Sequence, residues 1–184
     1  YYQSQRRNPQ WPIVPLGSLS APEKGSVRIG PFGSQLKKED LSDSGIHVVG
    51  IENVLKEKFD GLGLRYISES KYSTLKAFTV LPDDVLITMM GTIGEVAVVP
   101  GGISPSIMDS HLVRFRADHN KCLPEYIALV IKNDAKVRQS IEGKAHGAIM
   151  KGLNSSIIKS IPVSLPPIHS QERIVETYRH IHIS

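Results

Sequence analysis

Residues 84–99 read Asp84-Val85-Leu86-Ile87-Thr88-Met89-Met90-Gly91-Thr92-Ile93-Gly94-Glu95-Val96-Ala97-Val98-Val99. Two apolar, β-branched runs flank a short connection bounded by Gly91 and Gly94. Runs this short do not make helices, and glycine gives a tight reversal the φ freedom it needs. The stretch therefore predicts a β-hairpin, with strands over 84–90 and 95–99. A lone hairpin is marginal in water, so further strands must complete its sheet.

They are present on both sides. Residues 27–30, 46–49 and 78–81 are short apolar runs, and Gly50-Ile51-Glu52-Asn53 follows the second directly. Residues 111–115 supply one more strand after the hairpin. Trp11-Pro12-Ile13-Val14-Pro15-Leu16-Gly17 opens the fold, its prolines restricting it to extended or turn conformations. Gly30-Pro31-Phe32-Gly33-Ser34-Gln35-Leu36 carries two glycines and predicts a tight turn that uses their positive-φ freedom.

Beyond residue 120 the apolar period changes. Residues 124–141 place Ile127, Val130, Ile131, Val137 and Ile141 near one helical face, with Pro124 in the first turn and Gly143 as the stop. A glycine-rich basic loop follows over 143–152, then a short helix through Lys159 capped by Asn154. A strand over 161–165 ends at Pro166-Pro167. A final helix over 170–181 puts Ile174, Val175 and Tyr178 on its buried side. The expected class is α+β: a strand-rich N-terminal two thirds with a twisted, mainly antiparallel sheet, and helices in the C-terminal third. No internal repeat and no long linker divides the chain.

Composition narrows the function classes. The 184 residues suit one domain, and 40% hydrophobic with 22% charged residues excludes a disordered chain. The net charge of +4 tolerates a polyanionic partner without requiring one. The single cysteine, Cys122, allows no internal disulfide and no Cys-rich zinc site, and it suits a reducing, cytoplasmic compartment. It reads as a small buried residue. No stretch approaches a membrane span, and the polar residues 1–10 are not a signal peptide. These ten residues read as a tail or the remnant of a preceding segment. With no initiator Met, and a last residue inside an expected helix, the chain reads as part of something longer. Its seven histidines form no metal signature. His180 and His182 are two apart, and His111 near Asp109 lacks a second pair. Asp83 and Asp84 lack the Glu-x-Lys partner of a metal-dependent nuclease. No catalytic residue and no metal site is expected.

Four segments together resemble the specificity subunit family of type I restriction–modification systems. They are Gly30 to Leu36 after the Trp–Leu–Gly opening, Pro82-Asp83-Asp84-Val85-Leu86, Gly91-Thr92-Ile93-Gly94, and Leu153-Asn154 through Ile161-Pro162-Val163-Ser164-Leu165-Pro166-Pro167-Ile168 to Gln171 and Ile174-Val175. The second departs from the family's Gly-Asp-(Ile/Val)-Leu, with Asp83 at the glycine position, which implies a backbone there without positive φ. Ser170 stands where the family has Glu, a change confined to a helix start. The resemblance covers residues 11 to about 178. It implies a target recognition domain over 11–168 and the start of a conserved spacer helix over 169–184.

The resemblance also implies a role. Such a domain reads one half of a split double-stranded DNA site and has no catalytic centre. A methyltransferase subunit docks on the spacer and supplies S-adenosylmethionine chemistry. A restriction subunit, associated indirectly, uses ATP and Mg²⁺. The chain itself needs no cofactor and meets no membrane. The same unit also occurs in fused methyltransferase–specificity proteins, and a docking domain without its own DNA binding is a further alternative.

Candidate DNA contacts follow from residue chemistry. Ser34 and Gln35 sit in a loop where glycines let backbone approach phosphate and glutamine can pair with an adenine edge; the alternative is a structural turn. Lys24, Arg28, Lys37 and Lys38 are basic but stand among Glu39, Asp40 and Asp43, as a solvated face also would. Lys56, Arg65, Lys71 and Lys76 populate the middle of the chain, where the family varies. Lys144, His146 and Lys151 lie in the glycine-rich segment, which could equally be an idle loop. Gln171, Ile174, Val175 and Tyr178 are the expected spacer-helix and partner residues.

Overall fold

The computed structural model describes residues 11–59, 65–148 and 155–182, with the backbone alone over 144–148. The described strands are β1 (Ile13–Pro15), β2 (Val27–Ile29), β3 (Leu41–Ser42), β4 (Ile46–Val49), β5 (Tyr66–Ile67), β6 (Thr79–Val80), β7 (Val85–Thr88), β8 (Val96–Val98), β9 (Ser106–Met108), β10 (Leu112–Phe115) and β11 (Pro162–Ser164). The helices are α1 (Ile51–Leu55), α2 (Glu69–Leu75), α3 (Pro124–Asn133), α4 (Ala135–Ala148), α5 (Ser155–Lys159) and α6 (Ile168–His182). The fold is α+β.

Strand-rich does not mean one sheet. A four-stranded antiparallel sheet has the order β2-β10-β7-β8, and a five-stranded sheet has the order β3-β5-β4-β9-β6. All pairs are antiparallel except β4 with β9, which run parallel. A third, two-stranded ribbon joins β1 to β11, with Ile13 opposite Ser164.

The four-stranded sheet is the middle layer. Val85, Ile87, Val113 and Phe115 join a core with Tyr126, Ile127, Val130, Ile131 and Ile174 of the helices. Leu86, Ala97 and Leu112 join a second core with Val48, Ile67, Val80 and Ile107 of the other sheet. Successive strand residues alternate between faces. Here both faces are covered, so Val85-Leu86-Ile87 reads as an unbroken apolar run rather than an alternating one. Each fully buried Leu or Ile side chain contributes about 1.5–3 kcal/mol relative to exposure.

The hairpin expected over 84–99 forms, with Leu86 opposite Ala97. Gly91 (φ 71°) and Gly94 (φ 84°) both use the left-handed region. Asp83 departs from expectation. Its φ is 69°, so the backbone is left-handed although the residue is not glycine. Aspartate tolerates that region better than most residues, and the Asp83 N–H reaches Val99 O at 2.9 Å. Gly30 and Gly33 correct another reading, because neither is among the positive-φ residues.

The helical third holds two more corrections. The helix over 124–141 is two helices. Asp134 is extended (φ −85°, ψ 110°), and its Oδ1 accepts the N–H groups of Lys136 and Val137, capping α4. Gly143 does not stop α4, which continues to Ala148. Half of the expected basic loop is therefore helical backbone, while residues 149–154, Asn154 included, lie outside the described residues. Gly50-Ile51-Glu52-Asn53 turns into α1 rather than continuing a strand.

Candidate functional site

β10 turns Arg114 toward the five-stranded sheet, on the same face as Leu112. The residue is only 4% exposed. Its Nη1 donates to Thr79 O (2.6 Å) and Ala77 O (3.2 Å), and its Nη2 to Gly25 O (2.6 Å). One guanidinium thus ties Gly25 to a segment, Ala77 to Thr79, that is distant in sequence. Burial, then the neighbouring Arg116, lowers its proton affinity to about 10, which leaves it charged at neutral pH.

Two further arginines adjoin it. Arg116 makes a two-point ion pair with fully buried Asp84, and its bonds to that carboxylate raise its affinity for its proton. Arg28 lies over the Phe78 ring at 5.7 Å and against Gly25, where a Cβ would stand 2.5 Å from Arg28 Nη2. Lys24 and Lys76 are exposed and sit beside Gly25 and Ala77, the carbonyls that Arg114 gathers. Lys24 and Arg28, expected in one basic neighbourhood, and Lys76, expected in the middle of the chain, thus all adjoin segments that Arg114 bonds. Three arginines (Arg28, Arg114, Arg116) lie close enough to act on one another, with two carboxylates among them, buried Asp84 and half-exposed Glu23. Such an excess holds a positive potential.

The 30–36 turn leaves the sheet at a close approach. A Cβ on Gly30 would lie 1.8 Å from Asp109 O, so glycine is needed there for space rather than for φ. Gln35 Oε1 accepts the Phe32 N–H at 3.0 Å, which fixes the turn internally. Phe32, Ser34 and Gln35 are exposed. Lys37 and Lys38 follow, also exposed. Asp40 Oδ2 accepts the Lys37 N–H (2.7 Å) and pairs with Lys71 Nζ (3.0 Å). The Lys37 N–H first, and Lys71 after it, hold the Asp40 carboxyl below its ordinary value.

A second feature arises from the one parallel pair. β4 and β9 end side by side, so Gly50 and Asp109 emerge together. They open a groove of about 490 Å³ lined by Gly50, Ile51, Glu52, Asn53, Arg65, Asp109 and His111. Asp109, 4% exposed, accepts from Arg65 Nη2 at 2.8 Å and from the His111 N–H at 2.9 Å, and lies 3.3 Å from His111 Nδ1. Asn53 Oδ1 accepts the Gly50 N–H at 2.9 Å. Gly50 leaves room for this pairing, since a Cβ would fall 2.4 Å from Arg65 Nη2 and push the guanidinium aside. Sequence reasoning named Arg65 but not Glu52, Asn53 or Asp109 as its companions. Its one signal was the short spacing of Asp109 and His111, weighed only as a metal pair.

The remaining candidates scatter. Lys56 is exposed at the end of α1. Lys144 and His146 have helical backbone, and Lys151 lies outside the described residues. Gln171 is fully buried. Its Oε1 accepts the Leu123 N–H, and its Nε2 donates to Lys121 O and Pro166 O. Ile174 and Val175 are also buried, and Tyr178 is partly so, stacked on His182. These four residues anchor α6 to the domain. Its exposed side carries Glu172, Arg173, Glu176, Arg179, His180 and Ile181. Cys122 is buried, which pushes its thiol up to about 12. Among the described residues no group of three His, Cys, Asp or Glu side chains could hold a metal ion, and no helix is long and apolar enough to cross a membrane.

Known proteins agree with this architecture. The model of the type I restriction modification DNA specificity domain matches residues 32–179. A curated protein of Methanocaldococcus jannaschii, named as the MjaX specificity subunit of a type I restriction enzyme, is 22% identical over 143 residues, 76% of this chain and 33% of its own length. Two solved chains share the fold at 16% identity. One, from a study of complex assembly and conformational transition of the type I R-M system, has a TM-score of 0.65 and is matched over 94% of this chain and 38% of its own. The other, the HsdS subunit from Thermoanaerobacter tengcongensis, has a TM-score of 0.60, with 95% and 42% covered. This chain thus spans about a third of the curated relative's length and about two fifths of each solved chain.

Proposed function

The chain belongs to the type I restriction modification DNA specificity domain family, and on that premise we propose that it is a target recognition domain that grips double-stranded DNA and reads one half of a split site. The observation that carries this reading is the cationic surface around Arg114. There a buried arginine bonds the backbone carbonyls of Gly25, Ala77 and Thr79, next in sequence to Lys24 and Lys76, with Arg28 close by. Such charge contacts phosphates and sets the register of a protein on a duplex, while base edges supply sequence.

No chemistry is assigned to the domain. Methyl transfer and cleavage belong in this reading to a methyltransferase subunit and, through it, a restriction subunit. The exposed side of α6 is the surface left for docking, since its other side is used up within the domain. The test is binding of the full-length protein to a fluorescent mixed-sequence duplex across a salt series. The reading expects affinity that falls steeply with salt. Absence of binding at low salt by the folded protein would remove it and leave a docking domain.

A further inference from the structure

The groove at the ends of β4 and β9 differs in character from the cationic surface. Its lining holds Arg65 and His111, with side chains 41% and 44% exposed, against exposed Glu52 and buried Asp109. Among the described residues that line it, cations do not outnumber carboxylates, so a phosphate entering it would meet Glu52 and Asp109 at close range and gain little. A neutral base edge with its own acceptors meets no such opposition.

The groove presents one donor group of fixed direction. Arg65 is tied through Nη2 to a carboxylate that is itself held by the His111 N–H. That carboxylate sits at the end of a strand whose neighbour ends beside it. A guanidinium so buttressed loses little freedom on binding, and its planar fork matches the paired O6 and N7 acceptors of guanine in the major groove. Gly50 contributes by having no side chain, since a Cβ would occupy the space of Arg65 Nη2.

Resting on the DNA-reading role above, we infer that this groove is a base-reading site, in which Arg65 recognises a guanine and Asp109 is its positioning residue. Lys24, Arg28 and Lys76 then hold backbone, and Arg65 discriminates.

The experiment is selection of duplexes from a randomised library by the full-length protein, comparing wild type with R65A, R65K and D109N, each checked for folding by circular dichroism. Wild type is expected to enrich a motif containing guanine. R65A and R65K are expected to lose the preference at one guanine position while keeping the others, with affinity for the selected duplex falling about 5- to 150-fold. R65K is decisive, because lysine keeps a charge beside Asp109 and loses only the fork. D109N is expected to weaken that same position partially. If R65A and R65K retain every position and merely bind more weakly with a shallower salt slope, Arg65 is a phosphate contact. That result overturns the inference and leaves the DNA-reading role intact. If wild type binds DNA but enriches no sequence, base reading fails while gripping stands, and no binding at all removes both.

Discussion

Arg116 and Asp84 meet at two points, Nε to Oδ1 at 2.7 Å and Nη2 to Oδ2 at 2.8 Å, beside two further arginines, Arg28 and Arg114. Asp84 is fully buried and also accepts the Leu81 N–H at 2.8 Å. Removing its charge leaves three arginines with only half-exposed Glu23 nearby. Asp84→Asn is expected to destabilise the domain by about 3 kcal/mol, read as a lower midpoint in urea unfolding. An unchanged midpoint would show that the arginines do not depend on this carboxylate.

The cationic surface predicts a salt signature. Lys24→Ala and Lys76→Ala should each weaken binding of the full-length protein to all duplexes alike, and each should reduce the slope of log affinity against log salt by about 1. Anisotropy titrations at several potassium chloride concentrations measure it. A change in sequence preference instead would place these lysines at bases.

Gly30 and Gly33 sit three residues apart and should respond unequally to alanine. At Gly30 the added methyl meets the Asp109 carbonyl at 1.8 Å, and at Gly33 nothing lies within 4 Å. Gly30→Ala is expected to cost about 2 kcal/mol and Gly33→Ala less than about 0.5 kcal/mol in thermal unfolding. Equal costs would mean that the turn can move away from Asp109.

Gln171 satisfies three backbone groups from inside the domain. Gln171→Ala leaves them without these bonds, at about 2–3 kcal/mol. Denaturant unfolding checks the value, and a neutral result would mean that water replaces the amide.

Cys122 gives a pH-dependent outcome. Burial first, then Asp118, raises its thiol to about 12 from an ordinary value of 9.0. A raised folded value means that the native state holds its proton where the unfolded chain releases it. This contribution is fully present below about 9 and is lost as pH climbs toward about 12. The native thiol should resist a disulfide reagent at pH 8 and react once the chain is unfolded. Rapid native reaction would contradict its burial.

Residues 84–99 were legible because both faces of their strands are covered, which produced long apolar runs. The break at Asn133-Asp134 was hidden, since Val137 and Ile141 keep the helical period across it and both are buried. The five-stranded sheet was mostly invisible. β4 and β6 fall within the expected strands 46–49 and 78–81, but β3 and β5 have two residues each, too few to display alternation, and β9 pairs with β4 some 60 positions away. For the same reason the companions of Arg65 could not be read locally. Asp83 misled through an over-strict rule, because a left-handed backbone favours glycine but does not demand it.

The ribbon of β1 and β11 sets Ile13 opposite Ser164, so the two ends of the body between them lie side by side, and α6 packs back onto that body beyond β11. Ends held this close let a stretch of chain be joined at either side without spanning the body. On the DNA-reading role proposed above, exchange of this body for another would alter what is read with no rerouting of the chain at its ends.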